Sequence, residues 1–75
     1  MRTLDQLRPG MRARVVRLAA TGSIGQRLGE MGLIAGTDVR VVRCAPLGDP
    51  LEIEVQDYFL SLRKAEARLV EVADD

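Results

Sequence analysis

Residues 51–56 and residues 58–63 each place an apolar side chain at every second position, with polar side chains between them. This alternation is typical of strands that bury one face and expose the other. Asp57 and Tyr58 can form a two-residue turn between the two segments, so together they predict a β-hairpin. This hairpin is the strongest structural signal in the chain, and it favours a mainly β fold.

The rest of the chain predicts three more strands and one helix of useful length. Residues 11–19, 37–45 and 68–72 have the composition of strands. A chain of 75 residues supports one hydrophobic core, so we expect residues 1–75 to form a single domain. Five short strands in so small a domain favour closure into a barrel, because closure removes exposed strand edges.

The helix is predicted to run from Ser23 to Gly32. Ser23 or Thr21 can accept hydrogen bonds from the free N–H groups of its first turn. Gly32 is placed to adopt the left-handed conformation that commonly follows a helix. Leu33 would then be the apolar residue that accompanies such a cap.

The helix has an apolar stripe and two glycines beside it. Ile24, Leu28 and Met31 recur at the spacing of one helix face, which predicts that this face packs against the core. Gly25 and Gly29 lie on the flank of the stripe, and each glycine costs a helix roughly 1 kcal/mol relative to alanine. We therefore expect another backbone to approach the helix closely at these two positions.

The charges are balanced in number but not in position. Eleven basic and eleven acidic side chains give a net charge of zero. The net positive charge expected of a protein that binds nucleic acid is therefore absent. Residues 1–43 carry eight basic and three acidic side chains, whereas residues 44–75 carry three basic and eight acidic ones. If the predicted strands form successive hairpins, Arg43 stands opposite Glu52 on one side and Arg63 stands opposite it on the other. The outer face is therefore predicted to be a ladder of opposite charges.

The residue inventory argues against catalysis and against a dedicated metal site. The sequence contains no histidine, which is the commonest general acid–base and transition-metal ligand. Its one cysteine, Cys44, cannot close an internal disulfide, which fits a reducing cytoplasm. No apolar run approaches the roughly 18 residues of a membrane span. We therefore expect a cytoplasmic protein that is not an enzyme, holds no cofactor or metal and does not insert into a membrane.

Several short motifs, taken in order, resemble one known family. They are LDQLRPG at 4–10, RLGEMGL at 27–33 followed by Gly36, Val39 and Val41, APLGDPL at 45–51, LSLR at 60–63, and Glu66 with Ala67. Their order and spacing resemble the ferrous iron transport protein A family (FeoA) from about Leu4 to Val72. The resemblance implies a five-stranded SH3-like barrel with the helix inserted after the first strand.

The resemblance also implies a function. Such a protein would be a cytoplasmic accessory of ferrous iron uptake. It would dock on the cytoplasmic region of the membrane ferrous iron transporter, protein B with its GTP-binding domain, and modulate it. The alternative is a metal-responsive regulatory or interaction module with weak transition-metal binding, similar to the C-terminal domain of iron-dependent repressors. Self-association into a homodimer is also open, because so small a core invites it.

The end of the predicted helix is the first candidate surface for a partner. Its Met31 and Leu33 can form an apolar patch, with Arg27 and Glu30 as a charged rim. In the alternative arrangement, the two apolar residues close the end of the barrel and the two charged residues only pair with each other.

The loop between Pro46 and Pro50 is the second candidate. Leu47 lies in this loop and has no alternating strand to bury it, so it can anchor a partner. Alternatively, it folds back over the mouth of the barrel. Tyr58 and Phe59 are too few to line the aromatic groove that binds proline-rich peptides, so we do not expect that mode of recognition.

Overall fold

Six strands form one antiparallel sheet in the structure, a computed structural model that describes residues 2–74. The predicted domain of 1–75 also includes Met1 and Asp75, which lie outside the described residues. The strands are β1 (Arg2–Thr3), β2 (Arg12–Leu18), β3 (Asp38–Cys44), β4 (Leu51–Val55), β5 (Tyr58–Leu62) and β6 (Val70–Asp74). Their order across the sheet is β1, β6, β2, β3, β4, β5.

Two α-helices connect the strands. Helix α1 (Gly22–Glu30) lies between β2 and β3, and the single turn α2 (Lys64–Ala67) lies between β5 and β6. A 3-10 turn, Leu4–Gln6, follows β1. This arrangement confirms the predicted mainly β, SH3-like fold with one inserted helix.

The prediction of a closed, five-stranded barrel was wrong in two details. Strand β1 is a sixth strand, and its two residues are too few to show any alternation in the sequence. The sheet is not closed, because β1 and β5 stand at its two ends and do not pair with each other. Two strand edges therefore remain within the described part of the chain.

The predicted hairpin is present, but its turn lies one residue earlier than expected. Gln56, with a backbone φ of 54°, and Asp57 form the turn, so that Val55 stands opposite Tyr58. Glu52 consequently faces Ser61, and the predicted pairing with Arg63 was wrong. Moving the turn by one residue shifts the cross-strand partner of each residue by two positions. Every side chain therefore keeps its predicted face of the sheet.

The neighbouring hairpin confirms the charge ladder. Arg43 stands opposite Glu52 with 3.1 Å between Nε and Oε1, and Arg40 pairs with Glu54 at 2.8 Å. Within residues 2–74, six of the seven ion pairs join a residue before position 44 to one after it. The arginine of each pair keeps at least 33% of its side chain exposed. Ion pairs that are open to solvent on one side contribute about 1 kcal/mol or less, so they orient the two halves more than they stabilise them.

The core is aliphatic and collects side chains from the strands and from both helices. Helix α1 contributes one fully buried residue, Leu28. The predicted stripe was wrong at Ile24, which is 49% exposed, while Met31 is partly buried against the core. Only the turn of this nine-residue helix that carries Leu28 is therefore anchored in the core.

The two helix glycines differ in their surroundings. A Cβ at Gly25 would lie 2.6 Å from the carbonyl oxygen of Ala20, so the expected close backbone approach exists there and comes from this chain. A Cβ at Gly29 would meet nothing within 4 Å, and the same expectation was wrong for that position.

We expect alanine at these two positions to change stability in opposite directions. Gly29→Ala should raise the free energy of unfolding by up to about 1 kcal/mol, because alanine is the better helix former. Gly25→Ala should lower it, because the backbone of Ala20 has to move away from the new methyl group. Urea unfolding of both variants measures the difference, and a stabilising Gly25→Ala would contradict the close approach.

Candidate functional site

The end of α1 is held by a hydrogen-bonded cap. Gly32 has a φ of 98°, and its N–H donates to the carbonyl of Gly29 at 3.0 Å. The N–H of Leu33 donates to the carbonyl of Leu28 at 3.2 Å, which completes the predicted left-handed cap. Leu33 is fully buried. Its predicted role in partner contact was therefore wrong, because the cap turns its side chain into the core.

The other three residues of the first candidate surface remain accessible in part. Arg27 forms an ion pair with Glu66 of α2, and Glu30 accepts a hydrogen bond from Gln26 at 3.4 Å. The alternative in which Arg27 pairs with Glu30 is therefore wrong. Met31 is half-buried against the core and keeps part of its side chain at the surface.

Tyr58 connects this helix end to the sheet, a contact that the sequence analysis did not predict. Its hydroxyl donates a hydrogen bond to the carbonyl of Met31. A Cβ at Gly32 would overlap that hydroxyl, so glycine serves both the backbone conformation and the contact. The two partners are 27 residues apart in sequence, and no short-range pattern connects them.

The second candidate surface is a restrained loop with an exposed leucine. Leu47 is 92% exposed, so the alternative in which it folds over the barrel mouth is wrong. The loop around it is tied at three points: Gly48 N–H donates to the Ala45 carbonyl at 2.7 Å, Ala45 N–H to the Pro50 carbonyl at 3.0 Å, and Lys64 N–H to Asp49 Oδ1 at 3.0 Å. The loop thus presents an apolar side chain on a fixed backbone.

A shallow hollow of about 410 Å³ lies at the base of this loop. Pro46, Pro50 and Cys44 supply apolar wall, and the Arg43–Glu52 ion pair forms a charged border. An exposed apolar anchor beside a hollow with a charged rim has the composition of a protein-binding surface. We call Leu47 together with this hollow the loop surface.

Among residues 2–74, no three side chains of histidine, cysteine, aspartate or glutamate lie close enough together to hold a metal ion. In the same part of the chain, neither helix has the length and apolar character needed to cross a bilayer.

Comparison with known proteins gives a relative that is much longer than this chain. The chain is 41% identical over 69 residues to the Fe(2+) transport protein A/Fe(2+) transporter FeoB fusion protein of Porphyromonas gingivalis (strain ATCC BAA-308 / W83). The match covers 92% of this chain but only 8% of that protein.

Solved structures have the same fold. Iron(II) transport protein A from Clostridium thermocellum is 39% identical, with a TM-score of 0.92 over 96% of this chain and 44% of that one. FeoA of Stenotrophomonas maltophilia, a prokaryotic SH3 domain protein solved with zinc, is 34% identical, with a TM-score of 0.86 over 97% of this chain and 91% of that one. The FeoA domain family matches residues 2–74. This protein therefore belongs to the FeoA family.

Proposed function

We propose that this protein is an accessory of ferrous iron uptake that docks on the cytoplasmic region of a FeoB-type transporter and modulates it. The observation that carries the proposal is the Porphyromonas gingivalis relative, in which a matching segment and an Fe(2+) transporter belong to one polypeptide. Covalent linkage keeps two domains at a high local concentration, so they can work together through a weak contact. A separate chain with the same task needs a surface that binds the transporter.

The loop surface is the best candidate for that contact. Leu47 is almost fully exposed on a backbone held by three hydrogen bonds, so little conformational entropy is lost when a partner covers it. Interfaces commonly concentrate their binding energy in a few apolar anchors surrounded by a polar rim. Here the Arg43–Glu52 pair supplies that rim.

The end of α1 is a second contact in this proposal. Arg27, Glu30 and the exposed part of Met31 lie on the same helix end, where Tyr58 fastens it to the sheet. Exposed charges at the margin of an interface mainly affect association rate and orientation. We therefore assign them a supporting role beside Leu47.

Leu47→Asp should weaken binding to the purified cytoplasmic domain of the cognate transporter by roughly tenfold or more. The reason is that a carboxylate cannot replace an apolar anchor in a desolvated pocket. Isothermal titration calorimetry measures the affinity, and Leu47→Met is the matched control because it keeps an apolar side chain of similar volume. Both variants should fold normally, since Leu47 contributes nothing to the core.

Two results would contradict different parts of this proposal. If Leu47→Asp binds as tightly as the native chain, the contact lies elsewhere. If the native chain does not bind the transporter at micromolar concentration, docking itself is wrong. Modulation is tested separately by measuring iron uptake into transporter-containing vesicles with and without this protein.

A further inference from the structure

Strand β5 presents an open edge. Within residues 2–74, β4 is the one element in extended contact with β5, and β5 ends the order of strands. The other end of the sheet is different, because β1 has only two residues and its Arg2 is paired with Asp74. The β5 edge is therefore the longer of the two open edges of the sheet.

The hairpin register determines which backbone groups point out of this edge. In a hairpin with a two-residue turn, the pair that closes the turn shares ladder hydrogen bonds, and this alternates along the strands. Val55 and Tyr58 are that pair here. The N–H and C=O groups of Phe59 and Ser61 consequently point away from β4, toward the open edge.

This edge also lacks the usual protection against pairing. Natural edge strands commonly carry a lysine, a proline or an inward-pointing charge that prevents another strand from adding to them. Residues 58–62 read YFLSL and contain none of these. Phe59 is 60% exposed, and Ser61 beside it on the same face is exposed as well.

We propose that a second copy of this chain adds to the edge, with the two β5 strands antiparallel about a two-fold axis at Leu60. Phe59 of each copy then stands opposite Ser61 of the other, and their outward backbone groups form four hydrogen bonds. The two Phe59 rings become diagonal neighbours on the outer face, within reach of each other. The two sheets join into one.

Charge complementarity selects this register. With the axis at Leu60, Tyr58 of each copy pairs with Leu62 of the other, so Asp57 in the turn just before Tyr58 lies beside Arg63, which follows Leu62. Both side chains are exposed, and neither forms an ion pair with another residue of the described range. Arg63 still has extended backbone angles, φ −66° and ψ 149°, so it continues the line of the strand.

The two neighbouring registers, with the axis at Phe59 or at Ser61, are less favourable. An axis at Phe59 would place Asp57 opposite Ser61, which leaves both charges unpaired. An axis at Ser61 would pair Phe59 with Arg63, whose N–H already donates to Glu66 and whose carbonyl already accepts from Glu66 and Ala67 at the start of α2. The axis at Leu60 is therefore the one register that uses the extended segment and pairs its terminal charges.

Cysteine cross-linking tests the register directly. Phe59→Cys and Ser61→Cys are made separately in a Cys44→Ala background and oxidised alone and as an equal mixture. Opposite residues of a hydrogen-bonded pair are about 5.5 Å apart between Cα atoms, within the range that a disulfide spans. Two copies of the same residue would be diagonal, roughly 7–8 Å apart, and should link poorly. We expect the mixture to cross-link several times faster than either variant alone.

Each other outcome overturns the proposal. Fast linking of Phe59→Cys alone would place the axis at Phe59, and fast linking of Ser61→Cys alone would place it at Ser61. If none of the three preparations links, no second copy occupies the edge, and an extended peptide from another protein becomes the occupant to consider. Circular dichroism of each variant establishes that the fold is intact.

Charge reversal is the independent check. Asp57→Lys should weaken the dimer in sedimentation equilibrium by roughly tenfold, because it places like charges opposite each other at two symmetric sites. Combining it with Arg63→Glu should restore the native affinity. An Asp57→Lys variant with unchanged self-association would contradict the register. Leu47 takes no part in this pairing, so failure here leaves the proposed docking on a transporter untouched.

Discussion

Leu28→Ala should lower the free energy of unfolding by about 2–5 kcal/mol, the usual cost of emptying a buried leucine site. Leu28 is the one fully buried residue of α1, and its carbonyl also accepts the N–H of Leu33 in the helix cap. A domain of this length has a total stability of about 4–11 kcal/mol. The substitution therefore removes a large share of it and loosens the helix that carries Arg27, Glu30 and Met31.

Urea unfolding followed by circular dichroism measures this loss. Ile24→Ala is the matched control, since it truncates an aliphatic residue on the same helix that is already 49% exposed. We expect the control to cost under about 1 kcal/mol, because little apolar surface returns to water. Equal losses for the two variants would mean that α1 does not depend on Leu28 for its attachment.

Gly32→Ala should lower the free energy of unfolding by about 2–3 kcal/mol. The φ of 98° is unfavourable for any residue with a Cβ, and the new methyl group would overlap the hydroxyl of Tyr58. The tyrosine must then leave the carbonyl of Met31, so the contact between α1 and β5 is lost. Both effects act on the same helix end.

Gly36→Ala separates the two effects. Gly36 has nearly the same φ, 93°, but a Cβ there would meet nothing within 4 Å. Its substitution should therefore show the backbone cost alone, and it should be milder than Gly32→Ala in thermal unfolding. The double variant Gly32→Ala with Tyr58→Phe should lose less stability than the sum of the two single variants, because the overlapping hydroxyl is gone. A strictly additive result would refute the overlap.

The fold could be predicted in outline because its signals are local. Alternation over residues 51–63 indicated the hairpin, and the glycine after α1 indicated the cap that Gly32 and Leu33 form. The charge ladder was predicted from the alternation of side chains along the strands and from the pairing of neighbouring strands. The ion pair between Arg43 and Glu52 confirms it. The turn of the hairpin was missed by one residue, because both registers keep Leu60 and Leu62 on the inner face.

The candidate site was predicted less well, because exposure depends on neighbours that are distant in sequence. Leu33 and Leu47 have the same chemistry, yet one is fully buried and the other is 92% exposed. The buried one follows a helix cap that turns it inward, whereas the exposed one sits in a loop tied to Pro50 and Lys64. Residue type alone cannot distinguish these two positions.

The amino-acid sequence by itself determined five of the six strands, the main helix, the aliphatic core and the charge pairing of Arg43 with Glu52, since each depends on residues a few positions apart or on direct strand neighbours. Tertiary structure alone decided that the sheet stays open at β5, that Tyr58 fastens the end of α1, and which of the candidate residues reach the surface. These features depend on contacts between residues that are distant in sequence, such as Tyr58 with Met31, 27 residues apart, and Lys64 with Asp49, 15 residues apart. The geometry of such contacts depends on the packing of the whole domain, and no periodicity in the sequence encodes it.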